Sequence, residues 1–116
     1  MKTNLVPFGK GLNQIVNTYK NKIAFIDFDT KKHFTYNEIN ILIKRCLSFL
    51  QESGLKKNDT FQAVLPNCIE LLILFLAAGK GGFNIMPCSE ESTDSELTLS
   101  NKIINCKLII IEKKIK

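Results

Sequence analysis

The chain has 116 residues, the length of one small domain. Apolar residues make up 45% and charged residues 23%, which excludes a disordered tail, a collagen-like chain and a coiled coil. The net charge of +5, from 16 Lys and Arg against 11 Asp and Glu, is spread along the sequence rather than gathered on one aromatic-bearing stripe, so no nucleic-acid partner is expected.

Residues 1–22 are polar and irregular, with Gly9, Gly11 and many Asn and Lys, and leave room for one short helix around Leu12–Tyr19. Ile23–Phe28 reads as a strand centred on Ala24, Phe25 and Ile26. Asp29-Thr30-Lys31-Lys32 supplies a turn and His33–Tyr36 a returning strand, which together make a β-hairpin. Thr35-Tyr36-Asn37-Glu38 has the spacing of a capping box, in which the Thr hydroxyl and the Glu carboxylate each satisfy a backbone N–H of the first turn. Ile39, Leu42, Ile43, Cys46, Leu47 and Leu50 then recur at helical offsets and predict one apolar stripe, with Lys44, Arg45, Gln51 and Glu52 outside it. Gly54 is placed to end that helix in a left-handed cap.

Thr60–Leu65 reads as a strand that Pro66 terminates, and Asn67 with Glu70 repeats the cap pattern. The helix predicted over Cys68–Ala78 is apolar on every side apart from Glu70, the pattern of a helix buried all round. Gly79-Lys80-Gly81-Gly82 is expected to break it. Phe83–Met86 reads as the next strand, ending at Pro87. Thr93 and Glu96 form a third cap ahead of Leu97, Leu99, Ile103 and Ile104. The last strand, Lys107–Ile111, shows no alternation, as expected of a parallel strand covered on both faces. The strand starts at Thr60, Phe83 and Lys107 stand 23 and 24 positions apart, room for one crossover helix each. A parallel, right-handed α/β sheet follows.

The longest apolar stretch, Leu71–Ala78, falls short of the roughly 18 residues that span a bilayer, and Met1-Lys2-Thr3-Asn4 lacks the apolar core of a secretory leader. A cytoplasmic protein without a membrane span is expected. Cys46, Cys68, Cys88 and Cys106 contain no CxxC pair, so neither a zinc site nor a disulfide framework is predicted; Cys46 and Cys106 read as small core residues. Gly79-Lys80 does not make a phosphate loop, because Leu74 stands where that loop needs Gly, Gly81 where it needs Ser or Thr, and the segment leaves a helix rather than entering one. Asp27 and Asp29 are read as turn residues beside Thr30. His33 has no base or nucleophile next to it. Glu90 and Glu91 follow the carboxyl end of a strand, the edge that faces ligands in open α/β sheets, and equally suit the start of a helix.

Four segments are more specific than their composition. Phe34-Thr35-Tyr36-Asn37-Glu38-Ile39, Gly54-Leu55-Lys56-Lys57-Asn58-Asp59, Val64-Leu65-Pro66-Asn67-Cys68-Ile69-Glu70-Leu71 and Leu76-Ala77-Ala78-Gly79-Lys80-Gly81-Gly82-Phe83-Asn84-Ile85-Met86-Pro87 stand in register from about Lys22 to Glu112. Together they resemble the opening motifs of the adenylate-forming (AMP-binding) enzymes, the superfamily of acyl-CoA synthetases and of peptide-synthetase adenylation domains. Asn58 stands where the family usually carries Gly, Gly79 and Gly81 replace bulkier residues, and Ser89 takes the place of a common Asp.

The resemblance implies a Rossmann-like parallel sheet with crossover helices, preceded by a short β-hairpin. Residues 1–22 would be an irregular N-terminal segment and residues 23–116 a partial AMP-binding N-terminal subdomain. In the family the phosphate loop, the acidic residues for ribose and magnesium, and the C-terminal domain with its catalytic Lys lie beyond this point. No family catalytic, cofactor-binding or metal residue therefore maps onto the chain. The expected function is the N-terminal piece of an AMP-dependent ligase, inactive alone, whose full-length relatives activate a carboxylic acid with ATP and Mg2+ and pass it to a thiol, CoA or phosphopantetheine. The alternative is a non-catalytic interaction module that complements a separate chain. A small independent nucleotide-binding domain is a third reading. Partners implied are the remainder of a ligase chain or a self-associating copy.

Overall fold

The computed structural model describes residues 8–104 and 106–111. Nine elements follow in order: α1 (Phe8–Tyr19), β1 (Ile23–Ile26), β2 (His33–Thr35), α2 (Tyr36–Glu52), β3 (Thr60–Val64), α3 (Ile69–Gly81), β4 (Asn84–Cys88), α4 (Asp94–Ile104) and β5 (Leu108–Ile111). β1 and β2 pair antiparallel. β3, β4 and β5 form a parallel sheet in the order β4-β3-β5, so α3 and α4 are both crossover helices.

The capping box of α2 forms as its spacing predicts. The Glu38 N–H donates to Thr35 Oγ1 at 3.2 Å, and the Thr35 N–H donates to Glu38 Oε1 at 3.1 Å. The Thr35 N–H, with the Thr35 side chain adding to it, holds the Glu38 carboxyl below the usual glutamate range, because donation to the carboxylate favours its charged form. At the other end Gly54 takes φ +96°, and the Gly54 and Leu55 N–H groups donate to the carbonyls of Gln51 and Leu50 at 3.0 and 3.3 Å. That left-handed cap turns the chain back so that Leu55 joins Leu50 in the core.

One core forms under one face of the parallel sheet. In a parallel ladder, paired residues point to the same side, and successive residues alternate. Phe61 and Ala63 of β3, Ile85 of β4, and Leu108 and Ile110 of β5 therefore share a face, packed against Ile39, Ile43 and Leu50 of α2 and Ile73, Leu74, Ala77 and Ala78 of α3. The opposite face carries Gln62 and Val64, both buried, and Ile109 and Ile111, which are not.

Several boundaries differ from the expectation. α1 begins at Phe8 rather than Leu12, because the Phe8 ring packs against Gly79, where an added Cβ would lie 2.9 Å from it. β1 stops at Ile26, which leaves Phe28 in the turn and 81% exposed. Tyr36 is the first residue of α2, not the last of β2. Asn67 does not cap α3; Cys68 does, with no side-chain bond. Nor does α3 break at Gly79. It continues through Gly81 and ends at Gly82, whose φ of +75° and N–H to the Ala78 carbonyl terminate it. The reason is packing: a Cβ on Gly81 would stand 2.6 Å from Phe83 and 2.7 Å from Leu47, so the glycine lets the helix approach its neighbours. β4 starts at Asn84 and runs on through Pro87, as an edge strand allows, since proline forfeits only an N–H.

Two burial expectations also change. β5 is not covered on both faces, since Ile109 is 38% and Ile111 59% exposed. The apolar helix α3 is buried on the side of Ile73, Leu74, Ala77 and Ala78 but leaves Phe75 exposed. In α4 the Glu96 N–H donates to Thr93 Oγ1 at 3.2 Å, yet Leu99 is exposed. The stretch 1–7, the tail Lys113–Lys116 and the side chains of Ile103 and Ile104 lie outside the described residues.

Candidate functional site

Among the described residues, a concavity with polar walls sits at the carboxyl ends of β3 and β4. Leu65, Pro66 and Asn67 leave β3 on one side, and Pro87, Cys88, Ser89, Glu90 and Glu91 leave β4 on the other; Leu71 of α3 closes the end of a cleft of about 490 Å³. β3 is followed by a crossover to its neighbour β4, whereas β4 is followed by a crossover past β3 to β5. Successive connections that depart in opposite directions open a crevice at the strand ends, the usual ligand position in such sheets. Ser89 shapes the lip: its Oγ accepts from the Glu91 N–H at 3.2 Å, and its carbonyl accepts from the Ser92 N–H at 3.0 Å.

The amino ends of the same strands are tied together more tightly. Asn58 occupies the left-handed region with φ 73°. Asparagine is among the few non-glycine residues that settle there, so the turn survives the exchange of the family's Gly for Asn. Its N–H donates to the Gly82 carbonyl at 2.8 Å, and its carbonyl accepts from Asn84 Nδ2 at 3.1 Å. Asp59 Oδ2 accepts from the Lys56 N–H at 2.8 Å, while its Oδ1 lies 3.7 Å from Lys107 Nζ. The sequence marked Asn58 and Asp59 as part of a motif, but not the bonds that tie them to Gly82, Asn84 and Lys107. The signal was available in the Asn-Asp pair directly ahead of a strand.

The other candidate residues do not converge. Asp27 Oδ1 accepts from the Asp29 N–H at 3.0 Å, which makes both turn residues, as expected. His33 is exposed on β2. Gly79 and Lys80 lie inside α3, where their backbone N–H groups are committed to the helix and cannot cradle a phosphate. Burial raises the thiols of Cys46, Cys68 and Cys106, and for Cys106 the nearby Cys88 adds to the rise. That is the reverse of what activates a nucleophilic cysteine. All four cysteines are free and half-buried. Among the described residues, no three His, Cys, Asp or Glu side chains cluster as metal ligands. The donor set of the described residues therefore does not fit a magnesium ion.

A second concavity of about 550 Å³ is mostly apolar. It lies between α2 and α3, over β5, with Phe34, Leu42, Phe49, Ile73 and Ile110 in its walls and Lys32 and Glu70 among its lining residues. No sequence pattern announced it, because it arises from β2, α2, α3 and β5, elements spread along the chain. No helix among the described residues is long and apolar enough to cross a membrane.

A capped helix leading into a parallel three-stranded α/β unit, with a crevice at its strand ends, defines an open α/β scaffold. The profile of the AMP-binding enzymes matches residues 12–116, and the chain belongs to that family. It is 28% identical over 101 residues to 4-coumarate–CoA ligase 1 of Arabidopsis thaliana, covering 87% of this chain and 18% of that protein. It is likewise 28% identical over 87 residues to the long-chain-fatty-acid–CoA ligase FadD13 of Mycobacterium tuberculosis, covering 75% of this chain and 17% of that protein. Among solved structures, the N-terminal domain of FACL13 from Mycobacterium tuberculosis superposes with a TM-score of 0.84 at 25% identity, over 92% of this chain and 27% of that one. The chain thus spans less than a fifth of the length of these curated relatives.

Proposed function

We propose that the chain is the opening scaffold of an ATP-dependent acid ligase and turns over no substrate alone. The observation that carries this reading is the family match over residues 12–116 within 18% of the length of a 4-coumarate–CoA ligase. In a complete ligase of this kind a carboxylate attacks the α-phosphorus of ATP, pyrophosphate leaves, and a thiol then displaces AMP from the acyl-adenylate. The chain's own part is to hold the walls: α2 and α3 fix the sheet, and the segments after β3 and β4 present Asn67, Ser89, Glu90 and Glu91 at one crevice.

A second reading, a module that completes a separate chain, is favoured by the apolar groove between α2 and α3. Its apolar walls suit burial against protein better than contact with water. Both readings predict that the purified chain does not bind nucleotide. Thermal unfolding with and without saturating ATP and Mg2+ tests this. No shift in Tm is expected. A concentration-dependent rise, which only binding to the folded state produces, overturns both readings in favour of an independent nucleotide-binding domain.

A further inference from the structure

Ile23 and Ile26 stand three positions apart on β1, so regular alternation would send them to opposite faces. The pairing prevents this. Ile26 opposes His33, Phe25 opposes Phe34 and Ile23 opposes Thr35, so β1 carries one extra residue at Ala24. His33 and Thr35 lie on the face of β2 opposite Phe34, and Phe34 is buried in the core. Ile23 and Ile26 therefore share the outward face of the hairpin, and both are exposed. Phe28 follows at the tip, in a turn held by three bonds. The Asp29 N–H donates to Asp27 Oδ1 at 3.0 Å, the Lys32 N–H to Thr30 Oγ1 at 3.3 Å, and the Asp27 N–H to the Lys32 carbonyl at 2.9 Å. Lys31 takes φ 61°, a conformation few non-glycine residues adopt, with its ammonium 4.2 Å from the centre of the Phe28 ring.

The charge around this face is one-sided. Lysines run the length of the chain, but residues 1–26 contain no Asp or Glu. Residues 1–36 hold six Lys against Asp27 and Asp29, whereas residues 37–111 hold seven Lys and Arg against eight acids. Lys20, Lys22, Lys31 and Lys32 flank the two strands, and all four are exposed. The Lys20 and Lys22 carbonyls accept from the Asn37 and Tyr36 N–H groups at 3.0 Å, which fixes that pair at the foot of the hairpin.

We propose that the outward face of the β1–β2 hairpin docks on an anionic lipid bilayer. Phe28, Ile26 and Ile23 enter the boundary between headgroups and acyl chains, and the four lysines meet the headgroup anions. Apolar side chains flanked by cations are the composition of surfaces that lie on membranes, and no spanning helix is needed for it. The lysine stems are long enough to keep each ammonium at headgroup level while the apolar residues sink. Neither concavity described above includes Ile23, Ile26 or Phe28, so the face suits a fluid apolar layer better than a partner's inserted side chain. This inference stands apart from the proposed function, because docking needs neither nucleotide nor the remainder of a ligase.

Sedimentation of the intact chain with vesicles of phosphatidylcholine and phosphatidylserine, against phosphatidylcholine alone, tests it. Binding to the anionic vesicles only is expected, and it should weaken as salt is raised. Phe28→Ser, and separately Lys31→Gln with Lys32→Gln, should each weaken partition by about tenfold or more. These side chains are exposed, so circular dichroism should match the parent. Leu99→Ser removes an exposed apolar side chain from α4 and should leave partition unchanged. The chain contains no Trp, so Phe28→Trp gives a single fluorophore at the tip, whose emission should shift to the blue on anionic vesicles. A parent that stays in the supernatant, equal binding to neutral vesicles, or undiminished binding by Phe28→Ser would each overturn the proposal. So would a loss in Leu99→Ser as large as that in Phe28→Ser, or unshifted emission from vesicle-bound Phe28→Trp protein. A blue shift with polyglutamate but not with vesicles would assign the face to an acidic protein and overturn it too.

Discussion

Gly81→Ala sets two magnitudes against each other. In an exposed helix the change gains about 1 kcal/mol, because alanine loses less backbone freedom than glycine. Here the added Cβ would stand 2.6 Å from Phe83 Cε2 and 2.7 Å from Leu47 Cδ1. Phe83 is buried and Leu47 half-buried, so neither can swing into solvent. Overpacking of this sort costs about 1–3 kcal/mol. The expected net effect is a loss of about 1 kcal/mol, equal to a Tm lower by about 4–8 °C in a domain of this size. Gly79→Ala is the control within the same helix. Its Cβ meets the Phe8 ring at 2.9 Å, but Phe8 is half exposed at the first turn of α1 and can rotate away, so the variant should be neutral or slightly stabilised. Thermal and urea unfolding followed by far-UV circular dichroism measure both. A Gly81→Ala protein as stable as its parent, or a Gly79→Ala protein that loses more than it does, would refute the argument that close packing carries α3 through its glycines.

Four further expectations follow from single side chains. Gln62 is fully buried with its Oε1 unpartnered and only a 3.6 Å contact from Nε2 to Cys88 Sγ; Gln62→Met should raise the urea midpoint by an amount equal to about 1 kcal/mol, and a fall would show that the amide has a use. Thr35→Ala should cost about 1 kcal/mol by removing the cap of α2. Because the folded Glu38 carboxyl sits below its unfolded value, the stability it contributes is present above the ordinary glutamate range and is lost as pH falls through the folded value, so Glu38→Gln should flatten the acid limb of a stability–pH curve; an unchanged limb would count against the cap's charge. Burial raises the Cys46 thiol, so a thiolate-selective alkylator at neutral pH should modify Cys46 more slowly in the native chain than in urea, read by peptide mass spectrometry, and equal rates would contradict its packing.

What was legible in the sequence is what local chemistry controls. The α2 stripe, its capping box and the Gly54 cap follow from spacing alone, and so do the parallel strands, because a crossover of fixed length and an apolar run leave few alternatives. The failures share a physical cause. Whether Gly79 and Gly81 end a helix or let it pack closely depends on Phe8, Phe83 and Leu47, which lie elsewhere in the chain. Pro87 looked like a terminator because its strand's place at the sheet edge is a property of the strand order. β5 looked doubly covered because its composition is uniform, while its exposure is set by what packs against each face. Of the candidate site, the position of Glu90 and Glu91 followed from the rule of strand ends. The crevice itself and the apolar groove needed the assembled sheet.

ATP–pyrophosphate exchange on the purified chain, with a cinnamic-type acid and a long-chain fatty acid offered in turn, bears most directly on the reading of these residues as scaffold. Background exchange with both acids is the predicted result. Acid-dependent exchange that co-purifies with the chain itself, and disappears on unfolding it, would contradict the account.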